Sequence, residues 1–229
     1  MKIFNIDSPL MRVLGKISDL MILNFLVLLM CIPVVTAGAA FTAMHYCALK
    51  LVRGHESSIP KQFFHSFKDN FRQATLIWLM FLGIVAVFVV DFLYLGSGRN
   101  ELGGFVLGGI LAFFGMILFV GTMVYPLLAR FVNTVRTTIK TAFVYSFRHF
   151  PRTLLMLVAN LFPLSLFVIF NGYFGIMLFP LILCFGFTVP AYIGAKLYDK
   201  PFQKAEDAFY AEHPELNAPP EERIFSDSH

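Results

Sequence analysis

Three polar residues stand inside or at the end of long apolar segments, where a side chain is most able to do chemistry: Asn24, Asn160 and Asp91. Polar groups at membrane depth often mark ligand or ion pathways. Asn24 and Asn160 equally suit interhelical hydrogen bonds that aid packing, and Asp91 equally suits a carboxylate in water at the outer end of its segment. No chain of acids or histidines suited to a proton relay accompanies them.

The familiar catalytic and ligand-binding motifs are missing from the sequence. It contains no Walker motif, no HExxH, no GxSxG and no paired carboxylates within its apolar segments. The cysteines lie in apolar stretches without CxxC or Cys/His spacing, which predicts small buried hydrophobic residues: Cys31, Cys47 and Cys184. We therefore expect no enzyme activity, and we assign no catalytic, cofactor-binding or metal-binding residue.

The composition predicts an all-α, polytopic membrane protein. The chain is 58% hydrophobic and 14% charged, with a mean hydropathy of +0.73. Soluble domains average about 45–50% apolar and about 25% charged residues. Basic residues between apolar segments favour anionic lipid over nucleic acid as a partner.

Five uncharged windows are long enough, or nearly so, to cross a bilayer as helices: Leu20–Met44, Ala74–Val90, Leu102–Ala129, Thr153–Phe170 and Tyr173–Ala195. The first window contains Pro33, which interrupts a helix. Thr36 and Gly38 then begin a second helix that runs to Arg53, so this region forms either a helical hairpin or one span. His45 near the middle of the second helix makes a re-entrant segment an alternative to a full crossing.

The distribution of Lys and Arg favours the hairpin. With six crossings the two sides carry 17 and 1 basic residues, whereas five crossings give 14 and 4. Because basic loops stay in the cytoplasm, we predict six crossings with both termini cytoplasmic, with five crossings as the alternative. Residues 1–198 form the predicted transmembrane domain. Residues 199–229 carry a net charge of −5 and form a predicted acidic, partly disordered cytoplasmic tail.

Two basic, aromatic loops resemble each other at an offset of 80 residues. Their shared pattern predicts short amphipathic helices in the headgroup plane, each turning into the span that follows. These helices either dock on a cytoplasmic partner or only anchor the protein at the interface. The candidate docking residues are Phe63, Phe67, Lys68, Arg72, Phe143, Phe147, Arg148 and Arg152.

A stripe of small residues at Gly104, Gly108 and Ala112 predicts close helix packing, either within the chain or between two copies. The oligomeric state stays open.

The amino-terminal region resembles the YesL-like family of bacterial membrane proteins. The resemblance lies in the D-S-P start, the C-I-P-V-V-T-A-G turn and the S-F-K loop, which follow one another in this order. It implies a Gram-positive-type plasma membrane protein that is accessory to carbohydrate ABC uptake, with transporter or sensor membrane subunits as partners. The chain lacks the EAA-type loop of ABC permeases, which argues against its being the permease. A small transporter or channel, and a structural or assembly factor, are the alternatives.

Overall fold

The computed structural model describes residues 9–54, 58–95, 103–131, 134–169, 180 and 184–212. Its regular elements are α1 (Pro9–Cys31), a 3₁₀ turn (Val34–Thr36), α2 (Ala37–Arg53), α3 (Ile59–Leu95), α4 (Gly103–Arg130), α5 (Val135–Arg148), α6 (Phe150–Ile169) and α7 (Thr188–Glu212). Within these residues the protein is helical throughout, as the composition predicts.

Four stretches are long and apolar enough to cross a membrane: Val13–Cys31, Val34–Arg53, Ile59–Tyr94 and Val106–Arg130. They cover the first three predicted windows and divide the first window in two. Asn171 and positions 173–179 and 181–183 of the window Tyr173–Ala195 lie outside the described residues.

The second of these stretches is the core of the bundle. In its most apolar window 67% of the residues are buried, against 22%, 6% and 11% in the other three. Nearly half of the residues of α2 are small, and α1, α3, α4 and α7 pack around this helix. This position accounts for a histidine inside an apolar helix, because His45 faces protein and not lipid.

The break between α1 and α2 lies at Pro33. Thr36 directly precedes α2, as the sequence predicts. Its hydroxyl, however, makes no capping hydrogen bond to that helix. It lies within hydrogen-bonding distance of the carbonyls of Met30 and Pro33 instead, and so satisfies acceptors left open where α1 ends. The indole Nε1 of Trp78 donates to the carbonyl of Val34 at 2.7 Å, which ties this turn to α3.

The amino-terminal part of α3 differs from the prediction. We predicted a separate interfacial helix before the Ala74 span, but Ile59–Leu95 is one continuous helix of 37 residues. At about 1.5 Å per residue it is about 55 Å long, well beyond a hydrocarbon core of about 30 Å. The second amphipathic segment, α5, is indeed short, and it ends at Arg148, two residues before α6 begins.

The predicted boundary between residues 198 and 199 lies inside α7. Tyr198 and Phe202 are 1% and 0% exposed, so this part of the helix is packed into the fold. Burial raises the pKa of Tyr198 to about 12, and its hydroxyl shares a hydrogen bond of 2.7 Å with Thr153 of α6. Residues 213–229 of the predicted tail lie outside the described residues.

An ion-pair cluster joins α7 to the carboxyl-terminal ends of α2 and α4. Asp199 accepts from Arg53 at 2.8 Å and from Arg130 at 3.3 Å, and Glu206 accepts from Arg130 at 2.6 Å. The side chain of Arg130 is only 1% exposed. The carboxyl-terminal ends of α2 and α4 therefore lie together at one end of the bundle, next to Asp199 and Glu206 of α7.

The small-residue stripe on α4 does not contact another helix of the chain where the structure describes it. Gly108 and Ala112 are exposed, and no described atom lies within 4 Å of the position that a Cβ of Gly108 would occupy. The surroundings of Gly104 lie outside the described residues.

Candidate functional site

A cavity of about 470 Å³ lies within the helical bundle. It is lined by residues of α2, α3, α4, α5 and α6 and by the turn that precedes α7. Binding sites for small molecules are typically about 300–1,000 Å³ and mostly apolar. The size and lining of the cavity both fall within that class.

Two polar side chains of the lining, Trp78 and Thr122, donate to backbone carbonyls. Three others are His45 of α2, Tyr125 of α4 and Asn160 of α6. His45 is 5% exposed. Within the part of the chain that the structure describes, these three side chains form no hydrogen bond or ion pair. Polar groups that are shielded from water normally have a hydrogen-bonding partner. These three side chains can therefore bind polar atoms of a molecule in the cavity.

Aromatic rings form one wall of the cavity. Phe41 packs edge-on against Trp78, with ring centroids 5.8 Å apart, and also contacts Tyr125 and Phe187 at 5.8 and 6.1 Å. Trp78 stacks on Phe81 at 5.7 Å. No Asp, Glu, Lys or Arg lines the cavity among the described residues. The site is therefore uncharged and suited to flat apolar groups.

A helix break borders the same cavity. Helical residues at 184–185 are followed by a turn at Gly186 and Phe187, after which α7 begins. Asn24, near the middle of α1, accepts the backbone N–H groups of Phe187 and Thr188 at 3.1 and 3.2 Å. The hydroxyl of Thr188 donates to the carbonyl of Leu20 at 3.1 Å. Asn24 thus satisfies backbone donors that the start of α7 leaves open at the depth of a membrane span.

The two asparagines that the sequence singled out therefore have different surroundings, which gives a matched test. Asn24→Leu leaves two N–H groups without their acceptor, and we expect a loss of about 1–3 kcal/mol in the free energy of unfolding. Asn160→Leu removes no hydrogen bond recorded in the described residues, so we expect little change. Unfolding in detergent, followed by the fluorescence of the single tryptophan, measures both. Equal losses in the two variants would contradict the capping role of Asn24.

Asp91, the third predicted polar residue, lies on a different groove. This groove, about 640 Å³ in volume, runs between α3 and α4. Its floor contains Phe88 and Phe114, whose rings stack 4.1 Å apart. Asp91 is half-buried at one end of this groove and is not among the residues that line the cavity.

The predicted docking residues separate into buried and exposed groups. Phe63 is 0% exposed and packs in the core around α2, so its assignment to a docking surface is wrong. Phe67 is half-buried beside it. Phe143 and Phe147 are each 46% exposed, and Phe143 also lines the cavity. Exposed cations complete the set: Lys68, Arg72, Arg148 and Arg152.

The two loops of the sequence repeat are only partly equivalent in the structure. Ser66 and Ser146 are both buried, at 2% and 0% exposure. The aromatic residues at matching positions differ, because Phe63 lies in the core whereas Phe143 lies at the surface.

Sequence reasoning missed the ion-pair cluster of α7. Asp199 and Glu206 looked like solvated residues of an acidic tail. Their spacing around Phe202 was an available signal, since positions i, i+3 and i+7 share one face of a helix. The cysteines are free, with Cys47 buried and Cys31 and Cys184 half-buried.

Comparison with protein families matches residues 20–92 to the family described as "Protein of unknown function, DUF624", to which the YesL-like proteins belong. No curated protein and no solved structure matches the chain. The matched residues include most of α1, the turn at Pro33, all of α2 and nearly all of α3. The chain is therefore similar to DUF624 proteins over the region that contains Asn24, His45 and Trp78.

Proposed function

We propose that this protein is a YesL-like plasma membrane protein that assists carbohydrate uptake by binding the membrane subunits of an ABC transporter or a sensor. It crosses the bilayer six times in this proposal, with both termini in the cytoplasm. Its partners contact the cytoplasmic end, where the exposed basic residues Lys68, Arg72, Arg148 and Arg152 act as the docking groups.

The shared ion pairs of Asp199 carry this proposal. Since Asp199 accepts from both Arg53 and Arg130, the ends of α2 and α4 lie at one end of the bundle. The start of α3 and the junction of α5 with α6 follow those ends closely in the chain. Both basic loops then face one compartment, as six crossings and five crossings alike require, and the positive-inside rule favours the cytoplasm as that compartment.

The chemistry of the cavity supports an accessory role over sugar transport. A free sugar has many hydroxyl groups, and a buried hydroxyl without a partner costs about 1–3 kcal/mol. The described lining offers few polar side chains, chiefly His45, Tyr125 and Asn160. Most hydroxyls of a sugar in this cavity would remain unpaired.

Affinity purification in mild detergent tests the accessory role. We expect tagged protein from its native host to retain membrane subunits of a carbohydrate uptake system. Changing Lys68, Arg72, Arg148 and Arg152 together to Gln should reduce this recovery at least tenfold. A control removes four other exposed charges by the same change: Lys16, Lys61, Arg136 and Lys140. Equal recovery from both variants, or recovery of no such subunit by the unmodified protein, would refute the proposed docking.

A small carrier is the second candidate, because a helix interrupted within the membrane beside a cavity is a common design of transporters. Here the interruption is at Gly186 and Phe187. Purified protein in liposomes that exchanges labelled maltose across the bilayer would favour the carrier. Exchange no faster than in protein-free liposomes would contradict the carrier, and the accessory role would then be the remaining candidate.

A further inference from the structure

We propose that the cavity between α3 and α6 binds an uncharged, largely apolar molecule that carries a few hydrogen-bonding groups, with His45, Tyr125 and Asn160 as its polar contacts. This inference is independent of the proposed accessory function. It rests on the lining of the cavity, on the free polar groups within it and on the helix break at its edge.

The cavity is half open to its surroundings, so lipid or water fills it when no ligand is bound. At about 470 Å³, the cavity has the volume that about 15 molecules of liquid water would occupy. Its lining is mostly aromatic and aliphatic, so water is a poor occupant. A molecule with an apolar body fills the space at lower free energy.

The free polar groups narrow the chemistry of the occupant. His45 is nearly fully buried, and no described residue pairs with its ring. Tyr125 and Asn160 are half-buried and likewise form no hydrogen bond with a described residue. An acyl chain would leave all three unsatisfied, whereas a molecule with hydroxyl, carbonyl or amine groups would pair with them. The occupant therefore has polar groups as well as an apolar body.

The absence of charge on the described lining excludes an ionic ligand. A charged group in an apolar site is stable only with a counter-ion or several hydrogen bonds. Arg130, Asp199 and Glu206 do not line the cavity, and their charges pair with one another. The aromatic wall of Phe41, Trp78 and Phe81 favours a flat ring system.

The only tryptophan of the chain lies in this wall, so it reports directly on binding. Three matched fluorescent probes share one ring skeleton. N-phenyl-1-naphthylamine is neutral with an N–H group, N-methyl-N-phenyl-1-naphthylamine lacks that group, and 8-anilino-1-naphthalenesulfonate is charged. In liposomes, energy transfer from Trp78 should saturate with the neutral amine. We expect binding of the sulfonate to be at least tenfold weaker. The probe without the N–H group should bind about fivefold more weakly, because one hydrogen bond contributes about 1 kcal/mol to binding.

Gly121 provides a variant that blocks the cavity. It lines the cavity, and no described atom lies within 4 Å of the position of an added Cβ. Gly121→Leu should abolish saturable transfer without disturbing the fold. Gly115→Leu is the control, because Gly115 lies on the same helix, is equally open and does not line the cavity.

His45→Leu and Asn160→Leu test the polar contacts. Each should remove the preference for N-phenyl-1-naphthylamine over N-methyl-N-phenyl-1-naphthylamine, while an unchanged emission spectrum of Trp78 verifies the fold. Transfer that never saturates, or that is the same in Gly121→Leu and Gly115→Leu, would mean that only bulk lipid reaches Trp78 and would overturn the proposal. Tight binding of the sulfonate would overturn the assignment of an uncharged ligand.

Discussion

Replacing Arg130 with methionine should lower the free energy of unfolding by about 3–5 kcal/mol, the usual loss when one partner of a buried ion pair is removed. The guanidinium of Arg130 is 1% exposed and pairs with carboxylates of Asp199 and Glu206, which are themselves 16% and 12% exposed. After the substitution Glu206 loses its recorded partner, while Asp199 retains Arg53. The carboxyl-terminal half of α7 should detach first, because this cluster fixes it to α2 and α4.

Chemical unfolding in detergent, followed by circular dichroism, measures this loss. Arg136→Met is the matched control, since Arg136 is exposed on α5 and should change stability by no more than about 0.5 kcal/mol. A double variant, Arg130→Met with Glu206→Gln, should recover part of the loss because it no longer buries an unpaired carboxylate. If Arg130→Met and Arg136→Met unfold alike, the cluster does not stabilise α7.

The sequence predicts the helical membrane architecture well, because the features that determine it are local. Long uncharged segments must be helices in lipid. A proline in the first segment marks the break at Pro33, and α2 ends at Arg53 as predicted, with Gly54 after it at a φ of +75°. Local residue types carry each of these conclusions.

The continuous course of α3 shows where the same reasoning fails. Polar residues between 61 and 73 suggested a helix that lies on the membrane surface. Phe63 instead packs against the core around α2, and this contact keeps the segment in line with the rest of α3. Tertiary packing of that kind is not visible in the periodicity of one segment.

The candidate site was only partly predictable, because five helices and a turn contribute to it. Asn24 and Asn160 were recognised as polar residues at depth. The surroundings of Asn24, however, depend on contacts with residues more than a hundred positions away in the chain. The start of α7 did leave a local signal, since Thr188 precedes Pro190 by two residues, as at many helix starts. The apolar window around it concealed that signal.

Replacing Gly38 with alanine should also be strongly destabilising. A Cβ at Gly38 would lie 2.5 Å from the carbonyl oxygen of Ala74 and 2.6 Å from the Cβ of Trp78. Neither atom moves by side-chain rotation, so α2 and α3 must separate. Overpacking of this kind costs about 1–3 kcal/mol or more. The separation should also lengthen the 2.7 Å hydrogen bond from Trp78 to Val34 and shift the tryptophan emission.

Gly83→Ala is the control for that substitution. Gly83 lies on the exposed side of α3, with no described atom within 4 Å of an added Cβ. Since alanine favours a helix by about 1 kcal/mol over glycine, this variant should be as stable as the original protein or more so. The two substitutions add the same methyl group, so a difference between them isolates the contact of α2 with α3. Equal stability, with unchanged emission from Trp78, would mean that the two helices do not approach as closely as Gly38 requires.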